Sequence, residues 1–153
     1  MQLTDIIKNC NGCSACLVAC KLAALKMEGT EEGRIKKRPV KNEGRCNKCN
    51  ACVLYCPLYN PVTMPDFEDY YRFTEEYEGR NLPEIYRHTM RSVKAGDFTE
   101  FVGTLCEIAG LKSLMGDKFR SNLRVYPLYC EEEKRAKDPA CQCCVFYEEV
   151  KDI

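Results

Sequence analysis

The chain has 153 residues, 45% of them hydrophobic and 30% charged, a composition typical of a soluble globular protein with one ordinary domain or two small ones. No stretch approaches the roughly 20 apolar residues of a membrane-spanning helix, and the N-terminus lacks the apolar core of a signal peptide. We therefore expect no membrane span and a cytoplasmic location. Residues 1–60 are basic and the remainder is acidic, but the only dense basic run, at 34–41, lacks interleaved aromatic residues, so we expect no nucleic-acid partner.

Thirteen cysteines are far more than a chain of this length usually contains. Because the number is odd, complete pairing within one chain is impossible, and metal binding in a reducing compartment fits better than disulfides. Eight of the thirteen form two copies of CxxCxxCxxxC, in CNGCSACLVAC (10–20) and CNKCNACVLYC (46–56). Three thiolates in seven residues let a tight loop bind three corners of an iron–sulfur cluster. Zinc, the competing metal, typically takes one CxxC pair from each of two segments.

The two cysteine groups resemble the bacterial-type ferredoxins that carry two 4Fe-4S clusters, over about residues 1–62. In that family the first three cysteines of one motif bind one cluster and the fourth binds the other. The resemblance therefore implies one cluster on Cys10, Cys13, Cys16 and Cys56, and a second on Cys46, Cys49, Cys52 and Cys20. It also implies an α+β fold, a small ferredoxin-like two-cluster domain with two short antiparallel hairpins.

The chain departs from the family pattern at two points. The family usually has proline after the fourth cysteine, but Lys21 follows Cys20, so we expect residues 20–27 to continue as a short helix. The segment between the two motifs is also long, and its glycines and proline predict a longer hairpin than in a minimal ferredoxin.

Three closely spaced prolines, the last at Pro65, predict a connector and a boundary near residue 62, with residues 63–153 forming a mainly helical extension that ends in a cysteine-rich C-terminus. Three helices are predicted there. The first spans 66–79, and the second begins with Pro83 in its first turn and stops at Gly96. The third begins at Asp97, where Asp97 and Glu100 resemble a capping box, and it carries an apolar stripe up to Gly110. Residues 123–130 look extended but are broken by Pro127.

Five cysteines lie outside the two motifs: Cys106, Cys130, Cys141, Cys143 and Cys144. Cys141 and Cys144 form a CxxC pair, and with Cys106 and Cys130 they make a candidate third metal centre, iron–sulfur or zinc. Reduced thiols and a redox-active dithiol are the alternatives. His88, the only histidine, is predicted to lie at the surface or to be hydrogen-bonded rather than to act as a catalytic base.

No glycine-rich phosphate loop, GxSxG elbow or paired histidine–carboxylate site is present, so no catalytic residue is predicted. Iron–sulfur clusters by themselves mainly move electrons. We therefore predict electron transfer through two 4Fe-4S clusters, in a subunit of an anaerobic oxidoreductase complex with redox proteins as partners. One alternative is a reductase that uses a third metal centre or a dithiol in the second half. Another is an iron–sulfur sensing or structural module.

Overall fold

The computed structural model describes residues 10–28, 38–65, 67–72, 77, 80–116 and 121–130. In chain order these contain α1 (Ala15–Ala19), β1 (Leu25–Glu28), β2 (Arg38–Lys41), α2 (Ala51–Leu54), α3 (Leu82–Lys94), β3 (Thr99–Thr104), α4 (Leu105–Met115) and β4 (Leu123–Leu128). The fold is α+β, as predicted. None of the helices in these ranges is long and apolar enough to cross a membrane.

The segment between the two cysteine motifs contains the antiparallel pair β1–β2, with Leu25 opposite Lys41 and Glu28 opposite Arg38. The predicted hairpin pairing is therefore confirmed. The predicted helix over residues 20–27 is wrong, because α1 ends at Ala19 and the chain turns through Ala23, whose φ is 51°, into β1. The two motif helices, α1 and α2, pack against each other.

Helix α3 confirms the second predicted helix. The Asn81 side chain caps its start by accepting a hydrogen bond from the Glu84 N–H at 3.3 Å. Beyond its end, Gly96 has a φ of 88°, a left-handed conformation that glycine adopts without strain. Tyr86 and other residues on one face of α3 are buried, whereas His88 is exposed, as predicted.

The third predicted helix is wrong at its start, because residues 99–104 form strand β3 and the helix begins at Leu105. Thr99 and Phe101 are buried while Glu100 between them is exposed, which is the alternation of a strand with one face on the core. Strand β3 pairs in parallel with β4, so α4 is the crossover of a β–α–β unit. The second half therefore contains a parallel strand pair that the prediction of a mainly helical extension lacked.

Pro127 lies inside β4 and does not end it. On the edge of β4 that does not face β3, the Tyr71 N–H donates to the Pro127 carbonyl at 2.8 Å, and the Tyr129 N–H donates to the Tyr71 carbonyl at 2.7 Å. Tyr71 is thus paired with β4 as extended chain. The predicted helix over 66–79 is therefore wrong for residues 67–72, and most of its remainder lies outside the described residues.

The hydrophobic core lies between α3, α4 and the parallel strands. Its buried members are Tyr86, Val93, Phe101, Ile108, Leu111, Met115 and Leu123. The rings of Tyr86 and Phe101 stack with their centroids 5.8 Å apart. Val18 of α1 packs against the same core, so the first cysteine motif is joined to the second half of the chain. The domain boundary near residue 62 stays a prediction.

Candidate metal centre

The two cysteine motifs share an unusual backbone geometry. Gly12 and Ser14 in the first motif have φ values of 73° and 66°, and Lys48 and Asn50 at the matching positions of the second both have φ values of 62°. Serine and lysine have no intrinsic preference for this left-handed region. Its recurrence at matching positions, with three different side-chain types besides glycine, indicates a constraint imposed by the site and not by the residue type.

The same hydrogen bonds also recur in both motifs. The N–H two residues after the first cysteine donates to that cysteine's sulfur, from Gly12 to Cys10 at 3.4 Å and from Lys48 to Cys46 at 3.3 Å. The N–H of the second cysteine donates to an asparagine Oδ1, from Cys13 to Asn11 and from Cys49 to Asn47, both at 3.1 Å. These local Asx-type turns fix the direction of the chain between the first two cysteines, so both motifs present their sulfurs in the same way.

A cleft brings cysteines of both motifs together. Its cysteine lining consists of Cys10, Cys13, Cys16, Cys52 and Cys56. Cys56, the last cysteine of the second motif, thus lies beside the three leading cysteines of the first motif. The rest of the wall consists of the apolar residues Met27, Pro39 and Leu58 and the polar residues Asn11 and Ser14. All four predicted ligands of the first cluster therefore line one site with a partly apolar boundary.

The predicted ligands of the second cluster lie in a more open environment. Cys49 is exposed, and Cys20, Cys46 and Cys52 are half-buried. The Ala24 N–H donates to the Cys20 sulfur at 3.4 Å. Of these four cysteines, only Cys52 lines the cleft described above. This cleft therefore contains the whole first predicted set and one cysteine of the second.

Burial raises the pKa of several motif thiols. The pKa of Cys13 is raised well above its ordinary value by desolvation, with neighbouring thiols adding to the effect, and the Ala15 N–H opposes it. Desolvation also raises the pKa of Cys16, and the thiols of Cys10 and Cys56 raise it further. The pKa of Cys52 is raised mainly by burial. Several thiolates in this small space would need a compensating positive charge, which the iron of a bound cluster would supply.

A single metal ion and a four-iron cluster require different spacings of their ligands. Within the described part of the chain, no three Cys, His, Asp or Glu side chains are close enough together to hold one metal ion. A single tetrahedral zinc with Zn–S bonds of about 2.3 Å would bring its sulfurs to about 3.8 Å from one another. A four-iron cluster separates its thiolates more widely, because each binds a different iron. Within the described residues the side chains are thus not arranged for a single ion, and a cluster on the cleft thiols stays a prediction.

Helices α3 and α4 close one side of the first motif. The fully buried Tyr86 hydroxyl donates a bifurcated hydrogen bond to the Cys13 carbonyl at 2.6 Å and the Glu107 carbonyl at 3.1 Å. At Gly110 a Cβ atom would lie only 2.9 Å from the Tyr86 oxygen and 3.3 Å from the Cys13 sulfur. Sequence analysis did not identify either residue as part of the site, because a tyrosine on an amphipathic helix and a glycine on an apolar one carry no signal for a distant contact.

Cys106 also lies on the side of the first motif. It is buried in the first turn of α4, its sulfur is 3.1 Å from the Thr104 hydroxyl, and its charge would raise the pKa of Cys13. Cys130 is half-buried just beyond β4. The other three cysteines of the C-terminus, Cys141, Cys143 and Cys144, lie outside the described residues. The third metal centre therefore stays a prediction.

Residues 9–60 match the family model of a 4Fe-4S dicluster domain. The match covers about a third of the chain and includes all eight motif cysteines. No curated protein and no solved structure matches the chain. The family match supports an iron–sulfur, ferredoxin-like domain that binds 4Fe-4S clusters in this part of the chain, and it indicates electron transfer as the chemistry.

Proposed function

We propose that the protein transfers electrons through two 4Fe-4S clusters, each with three cysteines from one motif and one from the other. The first set is Cys10, Cys13, Cys16 and Cys56, and the second is Cys46, Cys49, Cys52 and Cys20. The observation that carries the proposal is the cleft in which Cys56 lies with the three leading cysteines of the first motif. The repeated left-handed residues and sulfur hydrogen bonds support a second motif adapted to the same kind of ligand.

A bound 4Fe-4S cluster supplies a centre that accepts and returns one electron. The chain's own residues bind the irons through thiolates and donate backbone N–H groups to the sulfurs of Cys10, Cys46 and Cys20. Hydrogen bonds to sulfur and the degree of burial are the two means by which this chain would set the reduction potentials.

The partners that we propose are redox proteins, or other subunits of an anaerobic oxidoreductase complex in the cytoplasm. The chain continues for some ninety residues beyond the part that matches the dicluster domain, and an isolated electron shuttle does not need this length. Large apolar side chains are exposed in and just after α2, at Leu54, Tyr55 and Tyr59. Aromatic and apolar residues of this kind are enriched in the cores of protein–protein interfaces, which supports a docked subunit.

The test counts iron, zinc and acid-labile sulfide per chain in anaerobically purified protein, with electron paramagnetic resonance after dithionite reduction. We expect about eight irons, about eight sulfides and two magnetically interacting clusters. Cys16→Ser should lower the iron content because it removes a thiol from the cleft. Cys106→Ser is the matched control, since it changes a cysteine outside both motifs, and it should keep about eight irons. Four or fewer irons in fully loaded protein would contradict the proposal.

The same count separates the alternative functions. About twelve irons, or about eight with one zinc, would establish a third centre and favour the reductase. In that case Cys106→Ser and Cys130→Ser should remove the additional metal and leave the other irons in place. Clusters that are lost in air together with a change in partner binding would favour a sensing module.

A further inference from the structure

We propose that α3 and α4 form a cover that shields the first cluster from solvent and leaves the second cluster open to it. The inference rests on the proposed function, because it assigns different environments to two clusters that the paired motifs would otherwise make equivalent. Tyr86 is the positioning residue of this cover, since it acts on the cluster through the backbone of Cys13.

The two motifs provide an internal comparison. Their local backbone geometry is the same, so a difference in burial between matching positions arises from whatever packs on each motif. Cys13 is only 8% exposed, whereas the matching Cys49 is exposed. Three neighbouring pairs differ in the same direction, the first member being buried and the second exposed or half-buried: Asn11 and Asn47, Ser14 and Asn50, and Ala15 and Ala51.

The contacts that bury the first motif come from the second half of the chain. Helix α1 packs against both α3 and α4. The Tyr86 hydroxyl reaches the Cys13 carbonyl at 2.6 Å, and Gly110 approaches Tyr86 and Cys13 so closely that no side chain fits between them. Helix α4 also reaches the end of the second motif, where the Ser113 hydroxyl donates to the Tyr55 carbonyl at 2.7 Å, but this contact is itself exposed.

Burial has a direct consequence for a cluster ligated by thiolates. Thiolates and bridging sulfides are lost when water, protons or a chelator reach the irons, so a shielded cluster should exchange its irons more slowly than an open one. Reduction also adds negative charge to a centre that is already anionic, and a buried environment disfavours the more highly charged state. The two clusters should therefore differ both in lability and in potential.

Tyr86→Phe tests this cover with the smallest change in the side chain. It keeps the ring that stacks on Phe101 and removes only the hydroxyl, which leaves the buried Cys13 carbonyl without this donor. A buried acceptor left without its partner weakens the contact between α3 and the motif. We expect the first cluster to become about tenfold more accessible, which corresponds to about 1.4 kcal/mol.

The experiment follows iron release from the oxidised, anaerobic holoprotein into excess EDTA. We expect two phases of about four irons each, since one cluster is covered and the other is open. Tyr86→Phe should accelerate the slow phase about tenfold and leave the fast phase unchanged. Tyr59→Phe is the matched control, because it removes the hydroxyl of an exposed tyrosine just after the second motif, and it should change neither phase.

Each outcome bears on the proposal. Release of eight irons in a single phase from the unaltered protein would overturn the cover and leave the proposed function standing. Acceleration of both phases by Tyr86→Phe would assign the tyrosine a general structural role and would also overturn it. A protein that never loads eight irons would overturn the proposed function, and this inference with it. The release pattern of the unaltered protein decides the question even where the variant fails to fold.

Discussion

Replacing Gly110 with alanine tests how closely α4 approaches the first cysteine motif. The added Cβ would lie 2.9 Å from the Tyr86 oxygen, and the ring that carries this oxygen is fully buried against Phe101, so the tyrosine has to move. Overpacking of this kind costs about 1–3 kcal/mol, and displacing the hydroxyl from the Cys13 carbonyl costs about 1 kcal/mol more. Alanine offsets about 1 kcal/mol through its higher helix propensity. The net destabilisation should be about 1–3 kcal/mol.

The assay is urea unfolding of the anaerobic holoprotein, followed by far-ultraviolet circular dichroism. With a slope of about 2 kcal/mol per molar urea, the midpoint should fall by roughly 0.5–1.5 M. The same substitution is then made in the Tyr86→Phe protein, which lacks the atom nearest to the new Cβ. There alanine should be less destabilising by about 1 kcal/mol or more. An equal effect of Gly110→Ala in the two backgrounds would refute the close contact.

Two further predictions concern the unfolding free energy, measured in the same way. Glu107 accepts a hydrogen bond from the Thr104 N–H at 2.9 Å and forms a largely buried ion pair with an arginine, so Glu107→Ala should cost about 3–5 kcal/mol. Glu84→Ala, which breaks an exposed pair, should cost less than about 1 kcal/mol, and similar losses for the two would contradict this description of the ion pairs. Phe101→Ala should lower the unfolding free energy by about 3–5 kcal/mol because the ring is buried. The Phe98 side chain is 62% exposed, so Phe98→Ala should change the unfolding free energy by no more than about 0.5 kcal/mol. Equal losses at the two phenylalanines would argue against the strand assignment of β3.

The start of α4 shows why the third helix was predicted at the wrong place. Asp97 and Glu100 have the spacing of a capping box, but the same spacing recurs in Thr104 and Glu107, and the second pair is the one that caps the helix. The apolar residues around Phe101 fit both the helical repeat of about 3.6 residues and the strand repeat of two. The spacing of apolar residues alone therefore did not separate strand from helix. Residues 99–104 form a strand because they pair with the parallel strand β4, which lies about twenty residues further along the chain.

Helix α3 shows the opposite case, in which local signals were sufficient. Pro83 in the first turn, the Asn81 cap and the glycine beyond the end all lie within or next to the helix, so its bounds depend on neighbouring residues. The segment 67–72 lacks such signals. There the backbone hydrogen bonds of Tyr71 to β4 replace those that a helix would have made.

The sequence alone predicted the donor set, and the two cysteine motifs share one local shape. The cysteine spacing and the asparagine turns act within seven positions, and they recur in both motifs although different elements pack around each. Only the tertiary structure decided that their surroundings differ. Tyr86 bonds to Cys13 across 73 positions of sequence. Burial depends on such distant packing, and burial, with the hydrogen bonds that accompany it, makes two similar motifs chemically unequal.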